Sequence, residues 1–282
     1  MRMTWWLVVA ALLSVVGLTR AWWVLGHASV AEAAVSGLPD DMPAFFRAAA
    51  KPIGYYAGEP DRWKNPSCKH LRSAEAPDHF IDLEDFEGKE LPGDRWKAIA
   101  VLQKLKKSPD RVGFLPWAIM ENFDRLSTAF YDYRENSKDP AIQAKCLVYA
   151  GILAHLSGDA AMPLHTTRNY DGRRNAEGVF VQKGIHAKID AFPEKNGLMS
   201  EEIGRGLKAS KIEDVWKRVL EVIEESHTHI HRCYELDEQG AFDRPNKESR
   251  EFIMARCRAA SQFTMDLWYT AYVRSATMPK HY

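Results

Sequence analysis

"DPAIQAKCLVYAGILAHLSGDAAMPLH", running from Asp139 to His165, decides how the chain is read. Asp139 is a residue type that caps a helix by accepting a backbone N–H. Pro140 suits the first turn, where its missing donor is not needed. Ile142, Cys146, Tyr149, Leu153 and Leu156 then recur at spacings of four and three, which predicts one apolar stripe along a long helix. His155 and Asp159 are four apart, so they project from one face and flank that stripe at the edge of a cleft. Pro163 ends or bends the helix, letting His165 turn back.

Working outward, helical periodicity recurs at Arg95–Lys107, Pro116–Tyr133, Ile212–Glu235 and Lys247–Arg274, while very little alternates as strands do. Loops rich in Pro, Gly and Asn are expected at Tyr55–Pro77, Thr166–Gly184 and Asp237–Asn246. There is no internal repeat or domain linker. The pattern predicts an all-α, single multi-helix domain. With 282 residues, 46% of them hydrophobic, the chain can bury a sizeable core. Lys+Arg and Asp+Glu both number 38, which excludes an overall positive field. A polyanionic substrate must therefore be held locally, by metal or a few basic side chains.

Arg2 precedes "WWLVVAALLSVVGL", an apolar run shorter than the roughly 20 residues of a membrane-spanning helix. Thr19 and Ala21 are small residues placed as at a cleavage site. Residues 1–21 thus read as a signal peptide and 22–282 as the mature domain, exported to the periplasm or outside the cell. The alternative is an uncleaved anchor reaching Leu25, which Arg20 would interrupt. Cleavage would make Trp22 the new terminus, five residues before His27 in "RAWWVLGH". Export permits disulfides among Cys68, Cys146, Cys233 and Cys257. Cys233 with Cys257 is the preferred pair, and Cys146 reads as a buried thiol.

Further ligand types stand at usable spacings. "HAKID" places His186 and Asp190 four apart, "DHFID" supplies His79, and "EPDRW" supplies Asp61, for which Glu59 or Asp78 can substitute. Any one His-x-x-x-Asp pair is by itself a surface ion pair or a satisfied core histidine. Two pairs with a histidine between them and another upstream, set in apolar surroundings, argue for metal, since unpaired imidazoles and carboxylates are costly to bury.

Taken in order, these motifs resemble the superfamily of zinc-dependent phospholipases C and single-strand-specific nucleases. The shared pattern reads here as Trp22, His27, Asp61, "HFID" from His79, "HLSGDAAMPLH" from His155 and "HAKID" from His186. The resemblance covers Trp22 to Asp190 and implies three Zn2+ ions in a helical fold. One would take Asp61, His79 and His155, with Asp159 bridging to a second. That second would take the Trp22 amine and carbonyl, His27 and the other Asp159 oxygen. The third would take His165, His186 and Asp190. An α-amine near pKa ~8 can lose its proton to a cation, and amine plus carbonyl closes a five-membered chelate.

Clustered zinc implies hydrolysis of a phosphodiester by activated water. Asp159 and Asp82 are the catalytic candidates, Asp82 to orient the water or a substrate hydroxyl; the alternative for Asp82 is a structural hydrogen bond. Lys64 is the candidate to neutralise a phosphate, unless it is simply solvated. Tyr55, Tyr56, Trp63 and Phe80 are stacking candidates, each equally a core residue. The close spacing of Trp22 and His27, and Asp190 where the phospholipases carry glutamate, favour a nuclease acting on single-stranded nucleic acid. The alternatives are a phospholipase C acting on phospholipid head groups and a non-catalytic zinc-binding secreted protein. No stable protein partner is implied. "HTHIH" from His227 does not converge on a helix and reads as surface, while His70 and His281 lack partners at useful spacing. The basic "KLKKSPDR" reads as solvated and "FTMDLWYTAY" as core.

Overall fold

The computed structural model describes residues 22–280. The expected leader over residues 1–21, and His281, lie outside the described residues.

The chain opens with α1 (Trp22–Ser36), α2 (Ala44–Arg47), α3 (Ala50–Tyr56), α4 (Glu59–Trp63) and α5 (Lys69–Glu75), followed by 3-10 turns at Ala76–His79 and Leu83–Phe86. Next come α6 (Arg95–Lys104), α7 (Pro109–Val112), α8 (Leu115–Glu135) and α9 (Pro140–Ala160), then a 3-10 turn at Pro163–Thr166. A hairpin of β1 (Arg173–Arg174) and β2 (Phe180–Val181) leads into α10 (Ile185–Lys195) and α11 (Ser200–Gly204). The chain closes with α12 (Val215–Thr228), α13 (Ile230–Glu238) and α14 (Lys247–Ser275). The fold is all-α, and that hairpin holds the only strands among the described residues.

Asp139 caps α9 as its type predicts, its carboxylate accepting from the Ala141 N–H at 2.8 Å. The helix is more central than one stripe implies. Every residue from Ala150 to Ala160 is buried, because α1, α3, α8, α12 and α14 surround this half. Small residues make that possible. A Cβ on Gly151 would stand 2.3 Å from Tyr56 Cβ, so α3 crosses here backbone against backbone.

Phe46, Phe123, Phe130 and Trp268 anchor the larger core, and a second gathers Ile185, Phe192, Tyr234 and Cys257. The expected Cys233–Cys257 disulfide is not formed. Both residues are free thiols in the second core, where burial pushes each up to about 12 and keeps it protonated. Cys146 is buried as expected.

Two other expectations change. The Ile212–Glu235 helix breaks at His229, which ends α12 and starts α13. The Tyr55–Pro77 loop contains α4 and α5, with Pro60 in the first turn of α4. No helix among the described residues is long and apolar enough to cross a membrane.

Candidate metal centre

Six short pieces of chain meet at one point. α1 carries His27, α4 carries Asp61, the Ala76–His79 turn ends in His79, and α9 carries His155 and Asp159. The turn at Pro163–Thr166 swings His165 back, and α10 carries His186 and Asp190 one turn apart. The helix ends before Pro163, and the 3-10 turn that follows brings His165 back as the proline implied.

Asp159 stands at the middle. Its Oδ2 lies 3.0 Å from His79 Nδ1 and 3.2 Å from His155 Nε2. Its Oδ1 lies 3.3 Å from His27 Nε2 and 3.7 Å from His165 Nε2. One carboxylate therefore offers its two oxygens to different groups, the arrangement a bridging ligand requires. Asp61 Oδ1 sits 4.0 Å from His79 Nδ1 and 3.9 Å from His155 Nε2. His186 Nε2 and Asp190 Oδ2 are 3.0 Å apart.

Three groups have donor atoms within 4.8 Å of one another: Asp61, His79 and His155; His27, His155 and Asp159; His165, His186 and Asp190. The first and third match the expected sets. In the second, His155 joins His27 and Asp159, and the His27 and His155 rings stack with centroids 3.8 Å apart. Trp22 opens α1 five residues before His27. Of the three acids weighed for this position, Asp61 is the one that faces the histidines. Asp78 is clamped by both terminal nitrogens of Arg95, and Glu59 pairs with Arg62 at 2.6 Å.

The backbone pre-sets the imidazoles. His155 Nδ1 lies 2.8 Å from the Ala57 carbonyl and His165 Nδ1 2.6 Å from the His79 carbonyl. A carbonyl only accepts, so each Nδ1 carries the hydrogen and each Nε2 is left as the ligand atom. Gly151 enables the first contact, because close approach of α3 brings the Ala57 carbonyl within reach. Gly158 enables another: a Cβ there would stand 2.8 Å from His27 Nδ1. Gly158 stands in the "HLSGD" motif, whereas Gly151 went unremarked in the sequence, although glycine inside an apolar helical run is itself a signal of close approach.

The charges fit a cation. Burial, reinforced by the Lys64 ammonium, pushes His79 down to about 4, so it is a neutral donor at ordinary pH. Burial alone would raise Asp159, yet the His165 and His155 imidazoles hold it well below the usual carboxylate range. Among the described residues His79 Nε2, His186 Nδ1 and Asp190 Oδ1 are buried with no hydrogen-bond partner, while His79 Nδ1, His186 Nε2 and Asp190 Oδ2 are the atoms that face the neighbouring ligand candidates. Imidazole nitrogen and carboxylate oxygen are also the donors zinc takes, and these residues fit it.

Lys64 Nζ lies 2.5 Å from Asp61 Oδ1, so it stands at the centre and leans on a ligand. Asp82 falls outside all three groups. Its charged neighbours are Glu84, Asp85 and Arg168. Among the stacking candidates, Tyr55 is exposed beneath the Arg62 guanidinium, and Trp63 lines a cavity of 270 Å³ beside His79. Glu75, Asp78, Glu121 and Arg125 also line it, with Tyr149 on its wall. The three histidines of "HTHIH" do not converge. His231 is exposed beside Glu235, His229 pairs with Glu225, and His227 departs from expectation by hydrogen bonding to the Thr166 carbonyl at 2.9 Å.

No protein-family profile matches the chain, and no curated protein matches it. Among solved structures, alpha-toxin of Clostridium perfringens, isolated from the avian strain SWCP, is similar at 16% identity with a TM-score of 0.49. The match covers 92% of this chain, which spans 66% of the length of that toxin chain.

Proposed function

We propose that the protein is an exported zinc-dependent phosphodiesterase of the phospholipase C type, cleaving the phosphodiester of a phospholipid whose head group is cationic or zwitterionic. The observation that carries it is the gathering of His27, His79, His155 and His165 about the two oxygens of Asp159, with Asp61 beside His79 and His155 and with His186 and Asp190 grouped with His165. Zinc held there supplies Lewis acidity to phosphoryl oxygens and lowers the pKa of water towards ~7. The Trp22 amine completes the ligand set once residues 1–21 are removed.

The protein's own residues supply orientation and choice. The Ala57 and His79 carbonyls hold two imidazoles in the ligating tautomer. The cavity beside His79 favours phospholipid over nucleic acid. Three carboxylates, Glu75, Asp78 and Glu121, share its lining with Arg125. Arg95 offsets Asp78 and Glu121 from behind. A polyanionic strand gains nothing from such a wall, whereas a cationic head group against Trp63 and Tyr149 does. The spacing of Trp22 to His27 and the identity of Asp190 are what support the nuclease reading.

The test counts zinc in the exported protein and assays phosphatidylcholine, single-stranded RNA and DNA, and bis-p-nitrophenyl phosphate in parallel. Release of diacylglycerol with little cleavage of either nucleic acid is expected. Preferential cleavage of RNA or DNA would establish the nuclease instead. Bound zinc without turnover of any of the four would leave a non-catalytic zinc protein.

A further inference from the structure

The segment between His165 and His186 does more than connect two ligands. Its base is tied down. The Tyr234 hydroxyl donates to the Asn169 carbonyl at 2.6 Å and accepts from the Gly172 N–H at 3.0 Å, and Gln182 Nε2 donates to the Tyr234 carbonyl at 2.8 Å. Asp171 Oδ1 accepts from the Gly184 and His186 N–H groups, fixing the hairpin to the first turn of α10. Its tip is not covered. Val179 is 57% exposed, Phe180 52% and Tyr170 56%. Arg174 is exposed opposite Phe180 in the hairpin register, its guanidinium donating to the Gly178 carbonyl at 2.7 Å, and Lys183 is exposed just after β2. Of the two acids in residues 170–184, Asp171 is half-buried with its carboxylate turned inward, and Glu177 is exposed. Tyr170 meets the His186 ring edge-on, centroids 5.8 Å apart, so this surface adjoins the metal centre.

We propose that the β1–β2 hairpin is a docking element for an anionic lipid surface, with Val179 and Phe180 entering the interface while Arg174 and Lys183 engage lipid phosphates. This rests on the phospholipid reading for its use, and its chemistry is argued separately. Aliphatic and aromatic side chains half in water, flanked by basic ones, match a boundary where hydrocarbon gives way to anionic head groups. Val179 offers no platform for stacking a base, and one side of the Phe180 ring is laid on Gly172, where a Cβ would meet it at 2.6 Å. Because the base is anchored to α10, seating the tip on a bilayer would turn the His186 side of the centre towards lipid.

The experiment pellets the zinc-loaded exported protein with phosphatidylcholine vesicles containing or lacking a third of phosphatidylglycerol, before appreciable hydrolysis. Binding is expected to be stronger with the anionic lipid and to weaken in high salt. Val179→Asp with Phe180→Asp, and separately Arg174→Glu with Lys183→Glu, are each expected to weaken it by ~10-fold. Zinc content and turnover of monomeric short-chain phosphatidylcholine should stay at parental values, since none of these four residues touches the candidate ligands. Parental vesicle binding in both double variants overturns the proposal. So does a parent that ignores vesicles, or one that uses the hairpin to pair with a second copy or to retain an oligonucleotide instead. If short-chain phosphatidylcholine is not hydrolysed yet the vesicle results hold, the phospholipase reading fails and the docking element stands.

Discussion

Asp159 touches four imidazoles through two oxygens, so its loss should unsettle more than one ion. Asp159→Asn is expected to remove more than one zinc per chain by elemental analysis, while Asp82→Asn keeps the full content. Equal zinc in the Asp159 variant and the parent would contradict the bridge. Asp82 has a different signature. Burial, with Glu84 and Asp85 beside it, pushes its carboxyl up to about 7 from an unfolded value of 3.8. Between those values the folded chain holds more protons than the unfolded one, so stability falls as pH rises. Above about pH 7 Asp82 is ionised in the fold against its surroundings, at a penalty of ~1–2 kcal/mol once solvent screening is discounted. Asp82→Asn should therefore raise the melting temperature by ~2–4 °C at about pH 8 and change little near pH 4. A gap that widens towards acid would refute this.

At the scale of elements, the site depends on how closely α9 lies against α1 and α3. The Gly151 contact of 2.3 Å with Tyr56 leaves no room for a side chain. Gly151→Val is expected to destabilise the fold by about 3 kcal/mol in a denaturant titration, the upper end of overpacking penalties. Gly158→Ala is milder for the fold and harsher for the site. A methyl 2.8 Å from His27 Nδ1 must displace that ring, so zinc content should fall with little change in helicity by circular dichroism. At the start of α1, a tag left ahead of Trp22 is expected to weaken metal loading, and full loading with such an extension would remove the amine from the ligand set.

Considered whole, the molecule places much of its buried polarity at one point. His79, His155, Asp159 and Asp190 lie inside an apolar bundle that would otherwise favour hydrocarbon there. Metal held there would therefore be coupled to folding. Each site filled at 100 times its dissociation constant adds ~2.7 kcal/mol. Chelation should lower the melting temperature by several degrees in a calorimeter, with recovery on adding zinc. A melting point indifferent to chelator and to zinc would disprove that coupling.

Much of this was written in the chain order. The spacing of His155 to Asp159, and of His186 to Asp190, follows from helical repeat alone, and the cap at Asp139 and the bend at Pro163 are local chemistry. Those features determined an all-α chain and nearly every candidate ligand. What needed the tertiary structure were contacts between residues far apart in sequence. That Asp61 rather than Glu59 or Asp78 faces the histidines is decided by Arg62 and Arg95 occupying the other two. That Cys233 and Cys257 stay unbridged, and that the second half of α9 is enclosed, depend on how helices pack against one another. Periodicity says which face of a helix is apolar; only packing says what stands against it.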